Sequence, residues 1–232
     1  MNLKSFGCSF IFGSELPDTV VSVNDVRVRA RDSAMTWPAL MAKELGADYQ
    51  CFAIPGAGNL QILERLLNHC NGDPDDLYVI GWTWCDRFDY LDPNKSAYRA
   101  TDPKTPWATI MPIDDTDLAR TYYKHLHAEY RDKLTSLVYI KTAIDTLRQK
   151  NCRFIMTFMD RVLFATEWEI NPAITDLQNY IEPYMTTFEG KTFLEWSRTH
   201  GYPETDMWHP LEEAHAAAAK CLMANHSLIH SA

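Results

Sequence analysis

The chain has no long apolar run. Nothing in it approaches the ~18 residues that a membrane-crossing helix requires. The opening Met-Asn-Leu-Lys-Ser-Phe lacks the extended apolar core of a signal peptide. These two absences predict a cytoplasmic location and no membrane partner. The six cysteines (Cys8, Cys51, Cys70, Cys85, Cys152 and Cys221) include no C-x-x-C pair. That argues against a zinc knuckle or redox motif and agrees with reduced thiols in a cytoplasmic protein. Basic charge is scarce: 22 Lys and Arg face 31 Asp and Glu, for a net charge of -9. Sequence-independent binding to phosphate backbones needs clustered Lys and Arg, so no nucleic acid is expected as a partner. Internal repeats, low-complexity segments and linkers are also missing.

What is present suits one well-filled globular domain spanning residues 1–232. The chain has 232 residues, 46% of them hydrophobic and 23% charged, enough to bury a substantial core. Its 7 Trp, 11 Tyr and 10 Phe serve a core or a lined pocket equally. Arg27, Arg29 and Arg31 alternate, so an extended backbone would point them the same way. A solvated edge and an anion-contacting loop are both open readings of them.

Short apolar runs at residues 3–8, 49–54, 77–81 and 152–158 read as strands. Helical spacing follows them at 36–46, 60–70, 117–150 and 210–229. Thr36 is a candidate N-cap and Gly46 a stop for the first of these helices. Residues 14–35 read as a long polar loop. Residues 83–114, with four prolines, read as an irregular lid or insertion. The alternation predicts an α/β fold with a parallel sheet, in which ligands gather at the carboxyl ends of the strands. Ser9, Gly56 and the Gly81-Trp82-Thr83 segment all fall just past such an end.

Two motifs at opposite ends of the chain carry reaction chemistry. Phe6-Gly7-Cys8-Ser9-Phe10 offers a serine at a strand-end turn, and Asp206-Met207-Trp208-His209-Pro210 offers a carboxylate and an imidazole before the last helix. Serine, histidine and aspartate are the parts of a hydrolytic triad. Asp-x-x-His can also bind a metal, but no further His, Cys or Asp cluster stands out as its partner. Neither a metal nor a cofactor is expected.

With these motifs the chain resembles the SGNH hydrolases, the GDSL esterase/lipase superfamily. The family's Gly-Asp-Ser block corresponds to Gly7-Cys8-Ser9, and its second glycine turn to Pro55-Gly56-Ala57-Gly58-Asn59. Its Gly-x-Asn-Asp block corresponds to Gly81-Trp82-Thr83-Trp84, and its Asp-x-x-His block to Asp206-Met207-Trp208-His209. The order is the family's and the span nearly the whole chain. Cys8 replaces the usual Asp, and Thr83 the usual Asn. The Gly-Cys-Ser-Phe opening looks like a divergent branch. The resemblance implies a three-layer α/β/α sandwich of flavodoxin-like type. It also implies a serine esterase or O-deacetylase acting on a small-molecule or carbohydrate ester.

The resemblance assigns roles residue by residue. Ser9 is the nucleophile, His209 the general base and then acid, and Asp206 the group that holds the second ring nitrogen. The backbone N–H groups of Ser9 and Gly56 are the oxyanion donors, with Thr83 in place of the missing Asn. Asn59 either substitutes as a donor or caps the 60–70 helix. Cys8 alternates with Ser9 and should face the core. His215 reads as a packing or capping residue. Trp82, Trp84, Arg87 and Trp208 flank the site as candidate substrate contacts; for the tryptophans core packing is an equal reading. Two other functions stay open: a non-catalytic binding protein on the same fold, and an O-acyltransferase.

Overall fold

The computed structural model describes residues 1–23, 26–29, 31–92, 107–168 and 170–224, and only the backbone of 20–29. Its elements in chain order are β1 (Asn2–Phe6), α1 (Ser9–Phe12), β2 (Val20–Val23), β3 (Val26–Arg29), α2 (Trp37–Glu44), β4 (Asp48–Cys51), α3 (Asn59–His69), β5 (Leu77–Trp82), β6 (Phe88–Leu91), β7 (Trp107–Ile110), α4 (Asp117–His125), α5 (Glu129–Gln149), β8 (Arg153–Phe158), α6 (Pro172–Ile181), α7 (Phe193–Thr199) and α8 (Glu212–Met223). No helix among the described residues is long and apolar enough to cross a membrane.

The main sheet is parallel, in the order β4-β1-β5-β8. Leu3 lies opposite both Tyr49 and Leu77, and Leu77 lies opposite Arg153. All six residues of β5 are buried, as expected for a central strand covered on both faces. Alternate residues feed opposite layers. Tyr78, Ile80, Trp82, Phe154 and Met156 pack with α3, α5 and α6. Leu3, Leu77, Val79 and Ile155 pack with α2, α7 and α8. The result is the parallel-sheet α/β fold that the alternation predicts, in the three-layer α/β/α form that the resemblance implies. The chain leaves β1 toward β4 on one side and returns to β5 on the other, so β1 is the topological switch point. Binding crevices open at the carboxyl end of such a strand.

Three expectations need correction. Residues 14–35 are not only loop: they contain a 3-10 turn (Pro17–Thr19) and the antiparallel β2–β3 pair. Residues 83–114 carry the β6–β7 hairpin, in which Phe88 lies opposite Ile110. The 117–150 helix is two helices. The N–H groups of Leu126 and His127 both end on the Tyr122 carbonyl, and His127 Nδ1 turns back onto Asp132 Oδ2 at 2.6 Å. Within α5 the buried stripe is Leu137, Ile140, Ala143, Ile144 and Leu147, while Val138 is exposed. The Arg27 and Arg29 side chains lie outside the described residues. Arg31 donates from Nε to the Asp18 carbonyl at 3.3 Å.

Candidate active site

Ser9 is the first residue of α1, directly after the Gly7-Cys8 step that leaves β1. A helix start has backbone N–H groups with no intrahelical acceptor. Ser9 is 8% exposed. Its hydroxyl has no partner among the described residues and is not among the polar atoms sealed from solvent. Cys8 is buried at 1% exposure among Phe10, Phe12, Trp37 and Met41, the packing role predicted for it.

His209 reaches the same end of the sheet from the other end of the chain. Residues 203–211 form a closed turn. Leu211 N–H donates to the Pro203 carbonyl and Thr205 N–H to the His209 carbonyl, each at 3.0 Å. Inside the turn Thr205 Oγ1 accepts from the N–H of Met207 and of His209, at 3.3 and 3.2 Å. His209 packs its ring edge-on against Phe10, with centroids 5.1 Å apart. The residue next to Ser9 therefore forms one wall of the imidazole's seat. Ser9 and His209 share no hydrogen bond in this structure; such pairs tighten when substrate binds.

The carboxylate on His209 is not the one that the Asp-x-x-His spacing predicts. Nδ1 of His209 meets Glu15 Oε2 at 2.6 Å. An ionised carboxylate only accepts, so Nδ1–H donates. Asp206 lies at the tip of the turn, exposed, and makes no hydrogen bond to His209. The turn's own bonds aim its tip at solvent and its end at the sheet, which separates two side chains only three residues apart. Glu15 (φ 72°) and Trp208 (φ 62°) both adopt the left-handed region, which costs a non-glycine residue on the order of 1 kcal/mol or more. No motif marks Glu15. Its only sequence signal is position, in the loop that leaves the nucleophile's helix.

The oxyanion donors divide. The Ser9 and Gly56 N–H groups make no hydrogen bond among the described residues. Gly56 has φ 80°, a turn conformation that suits glycine. The two side-chain candidates fail. Thr83 is 0% exposed, and its hydroxyl is sealed from solvent without a partner. Asn59 is engaged on both sides of its amide. Oδ1 accepts from Thr83 N–H at 2.9 Å, while Nδ2 donates to the Thr83 carbonyl at 3.2 Å and to Ser136 Oγ at 3.1 Å. It clamps the strand-end backbone and neither donates to the site nor caps α3. The cap comes from Asp89, which accepts from the N–H of Gly58 and of Gln61 at 2.9 and 3.0 Å.

The flanking residues sort by burial. Trp82 is 0% exposed and belongs to the core beneath α3 and α5, so it is not a substrate contact. Trp84 is half-buried, edge-on to Phe10 at 5.6 Å. Arg87 lies over the Trp84 ring at 4.9 Å and donates to the Ala57 carbonyl at 3.0 Å. Trp208, next to His209 in the chain, is 58% exposed. A cavity of about 300 Å³ lies to the α5 side, lined by Arg87, Phe88, Asp89, Arg131 and Tyr139 among others; neither Ser9 nor His209 lines it. His215 is 2% exposed and accepts the Trp37 N–H at Nδ1, 3.1 Å away. Burial, with His209 as a second cause, pushes its pKa down to about 3. A neutral ring holding the start of α2 is a capping role, not a second base. No group of three or more His, Cys, Asp or Glu among the described residues is placed to hold a metal ion.

No family model matches the chain, and no curated protein does. Solved structures do match. A member of the lipolytic protein G-D-S-L family from Veillonella parvula is similar over 98% of each chain, at 10% identity and a TM-score of 0.51. A carbohydrate esterase family 2 enzyme with a carbohydrate-binding domain, from Corynascus thermopiles, is similar at 13% identity and a TM-score of 0.50. That match covers 96% of this chain and 64% of that one. With the strand order and the position of the two end motifs, these likenesses establish that the chain has the SGNH-hydrolase fold.

Proposed function

We propose that the protein is a serine esterase in which Ser9 and His209 carry acyl transfer. The observation that carries this reading is the state of His209. Its Nδ1 is held by a carboxylate at 2.6 Å, its ring is seated on Phe10, and Nε2 makes no bond among the described residues. In that tautomer Nε2 is the basic position. As Ser9 Oγ attacks an ester carbonyl, Nε2 takes the hydroxyl proton. The tetrahedral oxyanion receives the N–H groups of Ser9 and Gly56. Collapse expels the alcohol, which takes the proton from His209 and leaves an acyl-Ser9. Water, deprotonated by the same nitrogen, then releases the acid.

One structural neighbour is described as a carbohydrate esterase. The exposed Trp208 beside His209 in the chain offers an apolar face with a polar edge, which suits a sugar ring. An O-acetyl group on a sugar is therefore the first substrate class to try. The test is turnover of p-nitrophenyl acetate and acetylated sugars by the parent and by Ser9→Ala. Saturable turnover that vanishes in Ser9→Ala supports the enzyme.

A second reading, a binding protein on the same fold, is favoured by one observation. Neither side-chain candidate is available as a donor: the Thr83 hydroxyl is sealed from solvent, and the Asn59 amide is engaged by Thr83 backbone and Ser136. Losing one oxyanion donor costs about 10²–10³ in rate. A folded parent that binds acetylated sugars without cleaving them would select this reading.

A further inference from the structure

We propose that Glu15 is the positioning carboxylate of His209, in the place that the Asp-x-x-His motif reserves for Asp206. The inference rests on the Ser9–His209 reading for its catalytic meaning, though not for its geometry. Both Thr205 Oγ1 and His209 Nδ1 lie 2.6 Å from a single oxygen, Glu15 Oε2. Thr205 in turn accepts the N–H of His209 itself. One oxygen thus fixes the ring, and through Thr205 it also fixes the backbone that carries the ring. Asp206 takes no part in this network.

The placement changes which pieces of the molecule belong together. Gly13 and Ser14 both donate their N–H to the Ser9 carbonyl, at 2.9 and 3.0 Å, which closes α1 into a compact turn. Ser9 opens that turn and Glu15 follows directly after it. Nucleophile and carboxylate therefore ride on one rigid unit at the switch-point strand. The base arrives alone, on a loop 194 residues away in sequence. In the Asp-x-x-His arrangement the carboxylate and base share a loop, and the nucleophile stands apart. Here the docking of the 203–211 turn sets the base against its carboxylate and toward the nucleophile in one step. The left-handed backbones of Glu15 and Trp208 sit one at each side of this junction. The contact is partly open to water: the His209 side chain is 14% exposed and that of Glu15 38%. Thr205 supplies the second bond that holds Oε2 in place against that water.

The test uses Glu15→Gln, Glu15→Asp and Asp206→Asn in the full chain. Gln bears the same backbone conformation and the same shape, so the comparison isolates the charge. The first readout is the His209 tautomer, from imidazole ¹⁵N shifts at neutral pH, which needs no substrate. The expected result is an Nδ1–H ring in the parent and in Asp206→Asn, and loss of that preference in Glu15→Gln. The second readout is p-nitrophenyl acetate kinetics. An amide in place of the triad carboxylate costs about 10⁴ in kcat in a serine protease through the wrong tautomer. Glu15→Gln is expected to lose about 10²–10⁴ in kcat with KM little changed. Glu15→Asp should recover part of the loss, and Asp206→Asn should follow the parent. An unchanged tautomer in Glu15→Gln, or the tautomer change appearing in Asp206→Asn instead, overturns the assignment. A folded parent that neither turns over nor reacts at Ser9 sinks the hydrolase reading alone, and the tautomer measurement still decides the role of Glu15.

Discussion

A methyl group at Gly7 would sit 2.5 Å from Ile11 Cγ1 and 3.0 Å from the Gly81 carbonyl, and one at Gly81 would sit 2.7 Å from the same Ile11 carbon. Ile11 is the third residue of α1, so this close approach presses the nucleophile's turn onto the ends of β1 and β5. That explains in physical terms why both the first and third motif blocks need glycine. Overpacking of this kind costs about 1–3 kcal/mol. Gly7→Ala is expected to lower the urea midpoint accordingly. Ile11→Ala removes the atoms that clash along with its own packing, so the double mutant should lose less than the sum of the two single losses in a double-mutant cycle. Turns and motif spacing made the strand-end positions of Ser9 and Gly56, and the loop position of His209 ahead of α8, legible at this scale. Glu15 was not, because the bond that identifies it joins residues at opposite ends of the chain. Thr83 and Asn59 were misplaced because spacing says nothing of where a side chain points. Thr83 turns into a sealed space, and the Asn59 amide closes on backbone.

At the scale of elements, α4 and α7 carry their own threonine caps, but α2 and α3 are started by partners remote in sequence. His215 on α8 accepts the Trp37 N–H of α2, and it can do so only as a neutral ring. Its pKa falls from 6.5 in the unfolded chain to about 3 when folded. The unfolded state therefore binds the proton first as pH falls. The stabilisation is fully present above about pH 6.5 and drains away toward about pH 3. Denaturation midpoints measured across that window should fall with pH. The slope should be shallower in His215→Asn, which keeps an acceptor but does not titrate. Asp89 is the second remote cap. It lies on β6, is 7% exposed, and takes N–H groups of Gly58 and Gln61 together with the Thr109 hydroxyl, the last at 2.7 Å. Charge-assisted bonds of this kind contribute about 1.5–3 kcal/mol each. Asp89→Ala should therefore lower stability by at least 2–3 kcal/mol or so in urea melts, with faster amide exchange in β6, β7 and the first turn of α3. His215 read as a packing or capping residue, but the helix it starts was not readable, and Asp89 was not readable at all, because each lies far in sequence from that helix. The break between α4 and α5 was hidden for a related reason. No Gly or Pro marks it, and the bonds that make it belong to Tyr122, His127 and Asp132.

At the scale of the whole molecule, the sheet and its layers were the most legible part. Four runs bounded by turn signals became the strands β1, β4, β5 and β8; β1, β5 and β8 are largely buried and so have little freedom in composition, whereas β4 is a half-exposed edge strand. The polar stretches were the least legible. Residues 14–35 and 83–114 hold the antiparallel pairs β2–β3 and β6–β7, which no sustained apolar run in the sequence marks. The order β4-β1-β5-β8 puts Ser9 at the carboxyl end of a central strand, where His209 packs against the neighbouring Phe10. The account stands on the chemistry of that junction. The most direct measurement is treatment of the folded protein with a fluorophosphonate, followed by mass mapping of the adduct. The account predicts one phosphonyl group, on the peptide that contains Ser9, and none in a folded Ser9→Ala protein. A folded parent that stays unmodified, or that carries the adduct on another residue, contradicts it.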